Sequence, residues 1–420
     1  MFVRRLQSSP LARGTGWMLL AQPARMLAQT AYFVLVARTL GVHEFGGLAA
    51  ALAVIAILVP FAGWGAGNVL VMNVSRDPTC FPAYWGNALV AIAVVGPSLV
   101  ALVVAAGVVV LPSLSWSALL LLGTAELVCS RVSDTAAQAF QAVERVRVSA
   151  QLQLVPHACR VVAAVGFVSL GVGRTVEGWA IWYLTATAVS ATLSLVVTCR
   201  RLGMPRPRIA LALENVKDGW SFALGLSSSS VHADIDKTMI ARLGSFEATG
   251  IYAAAYRGVT FAFAPVVAAL YAAYARFFRR GADGIRSSLV FARHLLPGLA
   301  GYAAAASVFL FVLAPAVPLV LGGDYSGAAG ALRWLAPLPL LQTLGLLAGD
   351  ALTGAGYQGV RSALQVGTVA ANIALNLWLI PLYSWEGAAW ATLASYSLLA
   401  AGLWAVSGML AATEPRRVLA

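Results

Sequence analysis

Apolar residues along this chain do not alternate with polar ones; they run in blocks, each closed by a short polar or glycine-rich break. A block that crosses a bilayer as a helix needs about 20 residues at about 1.5 Å of rise each. By that measure the pattern predicts about twelve spans, over 15–37, 46–73, 84–111, 115–141, 149–171, 177–199, 218–242, 248–275, 288–321, 327–353, 360–382 and 386–411. The outer breaks are short, as in LPSLS (111–115) and LYSWEG (382–387). The longest break, RRLGMPRPRIALALENVK (200–217), ends the sixth span with Pro and Arg and divides the chain near its middle. Its IALALENV segment reads as a short amphipathic helix on the membrane surface. The predicted organisation is a six-helix lobe over 1–203, a cytoplasmic linker over 204–216 and a second six-helix lobe over 217–420.

The two halves share a sequence. ARTLGVHEFGGLAAA (37–51) aligns without gaps on ARLGSFEATGIYAAA (241–255), with six identities, four of them Ala. Six spans separate the copies, an even number, so both halves run the same way through the membrane. The predicted fold is therefore an all-α polytopic membrane protein, two six-helix bundles related by a pseudo-two-fold along the membrane normal. A site is expected between the lobes.

Composition agrees with this pattern. Of 420 residues, 60% are hydrophobic and 10% charged, far from the quarter that is charged in a soluble globule. A net charge of +12 raises the question of nucleic acid, but the cations sit in short breaks between spans. With the N-terminus inside, the inner segments hold eighteen basic residues and the outer ones three, Arg38, Arg174 and Arg242. That bias places both termini in the cytoplasm of a bacterial cell, with the protein in its inner membrane. MFVRRLQSSPLARG reads as a basic tail before the first span, not as a cleaved signal. Cys80, Cys129, Cys159 and Cys199 are scattered and form no CxxC pair, so neither a metal site nor a disulfide framework is expected.

The chemistry lies in the polar positions inside the spans. The stretch Asp218 to Arg280 carries Asp234, Asp236, Lys237 and Arg257 within two apolar arms. Gln22, Arg25 and Gln29 form one helix face of the first span, at i, i+3 and i+7. Glu126, Ser130, Asp134, Gln138 and Gln141 stripe the fourth span, and Gln153, His157 and Arg160 the fifth. Arg293 and Arg333 are single cations and Asp350 a single anion; in all, the spans hold seven basic residues against five acidic ones. At about 2.5–3.5 kcal/mol per charge at mid-membrane, these groups belong against protein or water, not lipid. Glu126 or Asp134 is expected to pair with Arg160, and Asp234 with Lys237. Arg25 and Arg257 have no acid within one turn of their own helix and are the candidates for holding an anionic ligand. No GxSxG, P-loop or HExxH occurs, so no enzyme is indicated and no cofactor is expected. GDALTGAGYQG (349–359) is rich in small residues and is expected to serve helix packing and a tight turn.

Three stretches carry a family resemblance: ARTLGVHEFGGLAAALAV (37–54), DIDKTMIARLGSFEATGIYAAAYRGV (234–259) and residues 331–396. The second shows Asp236, Lys237, Gly244, Gly250, Tyr252 and Ala253, the third Leu375, Asn376, Leu377, Pro381, Tyr383, Gly387, Ala388, Ala391 and Thr392. On these the chain resembles the polysaccharide or O-antigen flippases (Wzx-type) of the multidrug/oligosaccharidyl-lipid/polysaccharide exporter superfamily. Its pair is Asp236–Lys237 where Asp-Arg is commoner in the family. The resemblance implies a central cavity and alternating access, with an oligosaccharide on a polyprenyl pyrophosphate moved from the inner to the outer leaflet. Arg25 and Arg257 would hold the pyrophosphate, with Lys237, Asp234, Asp236, Gln22 and Gln29 lining the cavity. Implied partners are the lipid-linked oligosaccharide and membrane lipids, H+ or Na+ as candidate coupling ions, and other polysaccharide assembly proteins; nucleic acid is not among them. Two alternatives remain at this point: an ion-coupled exporter of organic cations, and a membrane glycosyltransferase or polymerase. A cation cavity should be acid-rich, and a polymerase should carry large outer loops.

Overall fold

The computed structural model describes residues 10–171, 173–208, 210–211, 231 and 234–414, with side chains from residue 24 onward. The basic tail before Pro10, the expected surface helix 209–216 from residue 212 on, Lys217, Ser230, Arg416 and Arg417 lie outside the described residues. The chain divides into two compact units, Met1–Thr238 and Met239–Ala420. Among the described residues, seven helices are long and apolar enough to cross a membrane, and a pair bent by 41° supplies an eighth. Two of the seven are double spans joined at a one-residue kink. Those kinks, the helix divided at Ala125–Cys129 and the helix 234–243 account for the expected twelve, the seventh being described only over its last turns.

The first unit opens with α1 (Pro10–Leu58), which holds the first span and the start of the second. Gly41 separates them at φ 75°, ψ 172°, a conformation open to glycine because a Cβ would clash there. A 3-10 turn at Pro60 and a left-handed Gly65 then lead into α2 (Ala66–Val74). Between α2 and α3 (Phe81–Val110) the chain turns at Asp77, whose carboxylate accepts hydrogen bonds from the Thr79 N–H and hydroxyl. Those bonds hold the Asp77 carboxyl below the usual carboxylate range. Next, α4 (Trp116–Thr124) is capped by Ser115 and runs through a π turn (Ala125–Cys129) into α5 (Ser130–Ala142). The loop expected at 111–115 lies between α3 and α4. The unit is completed by α6 (Val146–Leu170) and α7 (Val176–Leu202). Trp85, Phe140, Leu70 and Val74 form its inner core, against which the start of α3 and the end of α5 pack.

The helix 234–243 (α8) begins in the first unit and ends at Gly244 in the second, where Ser245 caps α9 (Phe246–Gly281) by accepting the Ala248 N–H. Ser245 occupies the register of Gly41 in the repeat, so both copies break at the same position and bury the same face behind it. Then follow α10 (Ile285–Leu313), a short α11 (Val317–Leu321), α12 (Ser326–Leu335), α13 (Leu338–Gly354) and α14 (Gln358–Thr413). LYSWEG, expected as an outer loop, is almost wholly helical: Ser384 alone, at φ 53° and ψ −132°, makes the turn within α14. Small residues allow this, since Gly387 lies against the Leu379 carbonyl where a Cβ would sit 2.4 Å from its oxygen. The packing role expected for 349–359 is observed. Gly354 lies on the Phe277 backbone, and Gly356 turns the chain at φ +86°.

Candidate functional site

The polar stripes of the fourth and fifth spans converge in the first unit. Glu126 lies in the π turn and bonds to side chains of α6 and α7, and such turns recur at functional positions in helices. Arg160 donates to Glu126 Oε1 at 2.8 Å and to Ser130 Oγ at 3.0 Å. Its guanidinium lies 4.6 Å from the centre of the Tyr183 ring, and the Tyr183 hydroxyl donates to the same Glu126 oxygen. The expected Glu126–Arg160 pairing is thus present. Asp134 pairs with Arg131 one turn back, not with Arg160. Neither Arg131 nor Tyr183 stood out in the sequence. The i, i+3 spacing of Arg131 and Asp134 was readable, but nothing along the chain marks Tyr183.

Asp134 lies about 12 Å in from the end of α5 by helix rise, and half of its side chain is exposed. An exposed carboxylate at that depth belongs in water rather than lipid. Its charge lies in the fields of Arg131, Arg160, Arg25 and Glu126. Arg25, half-buried on α1, therefore belongs to the same cluster, which holds three cations against two anions. Gln29 is one turn further along α1 and half-buried; the Gln22 side chain lies outside the described residues. Farther along α5, Gln138 fills the space over Gly67 on α2, within 3.5 Å of Asn68 Oδ1.

The other predicted positions form separate groups. Asp234 and Lys237 pair across one turn of α8, as expected, and Asp236 between them is buried. Arg257 is half-buried on α9 in the second unit, its guanidinium 5.8 Å from the Phe261 ring centre. Asp350, expected as a lone anion, is buried and accepts Arg361 Nη1 at 3.1 Å. The same nitrogen donates to Thr353 Oγ1 at 2.8 Å. Arg361 was expected to be an inner-loop cation. It lies in the first turn of α14, next to the end of α13, and so pairs with the Asp350 charge across that turn. Arg293 and Arg333 are exposed, Arg333 over the Phe311 ring. The family-pattern residues Tyr252 and Thr392 share a hydrogen bond of 3.0 Å, and Asn376 donates to Asn372 at 2.9 Å; all four are buried. They knit the second unit together. No His, Cys, Asp and Glu grouping fit for a metal occurs among the described residues.

The sequence matches no curated protein. Among solved structures the chain is similar to an inward-facing multidrug resistance MATE family transporter of the MOP superfamily. The identity is 14%, the TM-score 0.74, and the match covers 94% of this chain and 98% of that one. A MOP superfamily transporter from Pyrococcus furiosus matches at 15% identity and a TM-score of 0.66, covering 97% of each chain. At such identities the likeness speaks for the fold alone, that of an all-α polytopic membrane protein. Residues 11–279 match the family described as "Polysaccharide biosynthesis protein". That match takes in the charged cluster, α8 and all of α9 but its last two residues, and on it this chain belongs to the polysaccharide biosynthesis protein family.

Proposed function

We propose that the protein is a flippase that carries a polyprenyl-pyrophosphate-linked oligosaccharide, or polysaccharide precursor, from the inner to the outer leaflet. One observation carries the choice of an anionic cargo. Of the five acids in the spans, Glu126, Asp134, Asp234 and Asp350 each hold a basic partner within the protein. A transporter of cations needs uncommitted carboxylates in its path, and these four are committed. The surplus is positive: Arg25 adds a third cation to the cluster around Glu126 and Asp134. Guanidinium groups stay charged and grip phosphate oxygens in pairs. The direction suits the membrane potential, since carrying negative charge outward from a negative interior releases about 2.3 kcal/mol per charge per 100 mV. Arg25 in the first unit and Arg257 in the second are assigned to the pyrophosphate, with Gln22, Gln29, Asp234, Asp236 and Lys237 along the path. The lobes 1–203 and 217–420 would alternate access, with both termini in the cytoplasm of a bacterial cell.

A second reading is an ion-coupled exporter of organic cations, favoured by the fold shared with a multidrug resistance transporter. Pocket polarity does vary within the superfamily. The Pyrococcus furiosus transporter is described as having a binding pocket of reverse polarity that suggests a different function. A complementation assay for surface polysaccharide, with membrane protein quantified in parallel, tests the assignment. Arg25→Gln and Arg257→Gln should accumulate normally and lose export, and the Lys versions should restore it in part. Normal export from both Gln variants would sink the assignment, and drug efflux without polysaccharide export would favour the second reading.

A further inference from the structure

The inner end of α9 carries chemistry that the cluster in the first unit does not use. Arg276, Arg279 and Arg280 follow at i, i+3 and i+4, so three guanidinium groups share one stripe of α9, and Asp283 lies in the turn just after it. They line a cavity of about 490 Å³ together with Phe291 of α10, within the roughly 300–1,000 Å³ usual for small-ligand sites.

The positive-inside bias accounts for arginines at this end of a span, but it does not choose a helix face. Here the face is informative. Val266, Leu270, Ala273, Phe277 and Gly281 form the buried stripe of α9. Tyr271, Tyr274 and Phe278 form an exposed aromatic stripe, of the kind that sits at a membrane interface. At 3.6 residues per turn the charged stripe lies roughly 110° from the buried one and roughly 160° from the aromatic one. The arginines thus point away from the aromatic face and toward the flank that Phe291 closes.

That flank has a rigid base. A Cβ on Gly281 would sit 2.1 Å from the Gly354 carbonyl oxygen, and one on Gly354 2.5 Å from that of Phe277. Backbone therefore rests on backbone where α9 meets α13. The Phe277 and Phe291 rings pack edge to face with centres 4.9 Å apart, and Ser288 of α10 donates to the Ala351 carbonyl at 3.0 Å. Three guanidinium groups against one carboxylate leave a surplus of two positive charges in a half-open pocket.

We propose that Arg276, Arg279 and Arg280 form a second pyrophosphate site, at the inner end of α9, which takes the headgroup of the lipid-linked cargo before it reaches Arg25 and Arg257. A pyrophosphate diester carries two negative charges, matching the surplus, and it offers oxygens for paired guanidinium contacts. The proposal rests on the flippase reading and adds a loading step to it.

The test measures binding to the full chain in phosphatidylcholine nanodiscs, with farnesyl pyrophosphate as the probe and farnesyl monophosphate for comparison. The wild type should prefer the pyrophosphate. Binding to the wild type should show two sites, and the triple Arg→Gln variant at 276, 279 and 280 should weaken one of them by more than about tenfold while the site at Arg25 and Arg257 remains. The triple Arg→Lys variant should recover part of the loss, and both should keep the wild-type thermal midpoint, because the three side chains are exposed. Wild-type affinity in the Gln variant overturns the site and leaves the flippase reading standing. A wild type that binds no prenyl pyrophosphate overturns both. Displacement of the probe by phosphatidylglycerol at equal mole fraction overturns the site too, by identifying it as one for bulk anionic lipid.

Discussion

Removing Arg160 should cost the first unit about 3–5 kcal/mol, the usual penalty for breaking a buried ion pair from one side. The Arg160 and Glu126 side chains are 11% and 20% exposed, so neither charge has water enough to replace its partner. Arg160→Met deletes the bond to Glu126, the bond to Ser130 and the contact over Tyr183, and leaves the Glu126 carboxylate with the Tyr183 hydroxyl. Glu126→Gln is milder, about 1–3 kcal/mol, because a Gln carbonyl still accepts from Arg160 or Tyr183. The double variant leaves no orphan charge, so it should be less destabilised than the sum of the singles. A coupling of about 1–3 kcal/mol is expected. Unfolding free energies from steric trapping in bicelles give the four corners of the cycle. Additive effects, or an Arg160→Met variant as stable as the wild type, would refute the structural role given to this pair. Loss of export by Glu126→Gln at unchanged stability would move Glu126 from scaffold to transport.

Gly281→Ala and Gly354→Ala should each destabilise the second unit by about 1–3 kcal/mol, whereas Gly298→Ala, with open space around its Cβ, should not; membrane protein level and thermal midpoint report the difference. In a cysteine-free background, Ser113→Cys should react with an impermeant thiol reagent in intact cells and Gly359→Cys only after permeabilisation; the reverse pattern would invert the orientation.

The spans and the repeat were legible because membrane burial acts on composition. A block of apolar residues is its own signal, and the break at Gly41 and Ser245 repeats in the same register. The pairing of charges was legible where it was local. Asp234 with Lys237 follows from helix spacing alone, and Glu126 with Arg160 from opposite signs on consecutive spans. Two partners escaped because they come from places that pattern does not mark. Tyr183 sits on α7 among apolar and small residues, and Arg361 looked like one more inner-loop cation until the α13–α14 turn brought it to Asp350. The loop expected at LYSWEG failed for a different reason: a single residue at positive φ replaces it, and no composition rule anticipates a serine there.

The polarity of the cluster in the first unit yields a prediction whose sign separates the two functional readings. Asp134 holds Arg131 across one helical turn and lowers the positive field that Arg25 and Arg160 share. Asp134→Asn removes one negative charge, frees Arg131 and raises the net charge of the cluster from one to two. An anionic ligand nearby should then bind more tightly. A unit charge several ångströms away, in a half-exposed setting with salt screening, amounts to about 0.5–1.5 kcal/mol, or about two- to tenfold in affinity. The change should shrink as ionic strength rises. A carrier of cations responds in the opposite sense, because Asp134 is then the group that meets the cargo, and its neutralisation abolishes binding. Farnesyl pyrophosphate and a lipophilic organic cation, titrated against Asp134→Asn and the wild type in zwitterionic nanodiscs, read both signs in one experiment. The Asn side chain keeps the volume of the carboxylate, and the position is exposed, so folding should be unaffected. Tighter pyrophosphate binding with no cation binding supports the anionic path. Weaker pyrophosphate binding in Asp134→Asn would show that the cluster does not hold the anion, and the choice of cargo would fall with it.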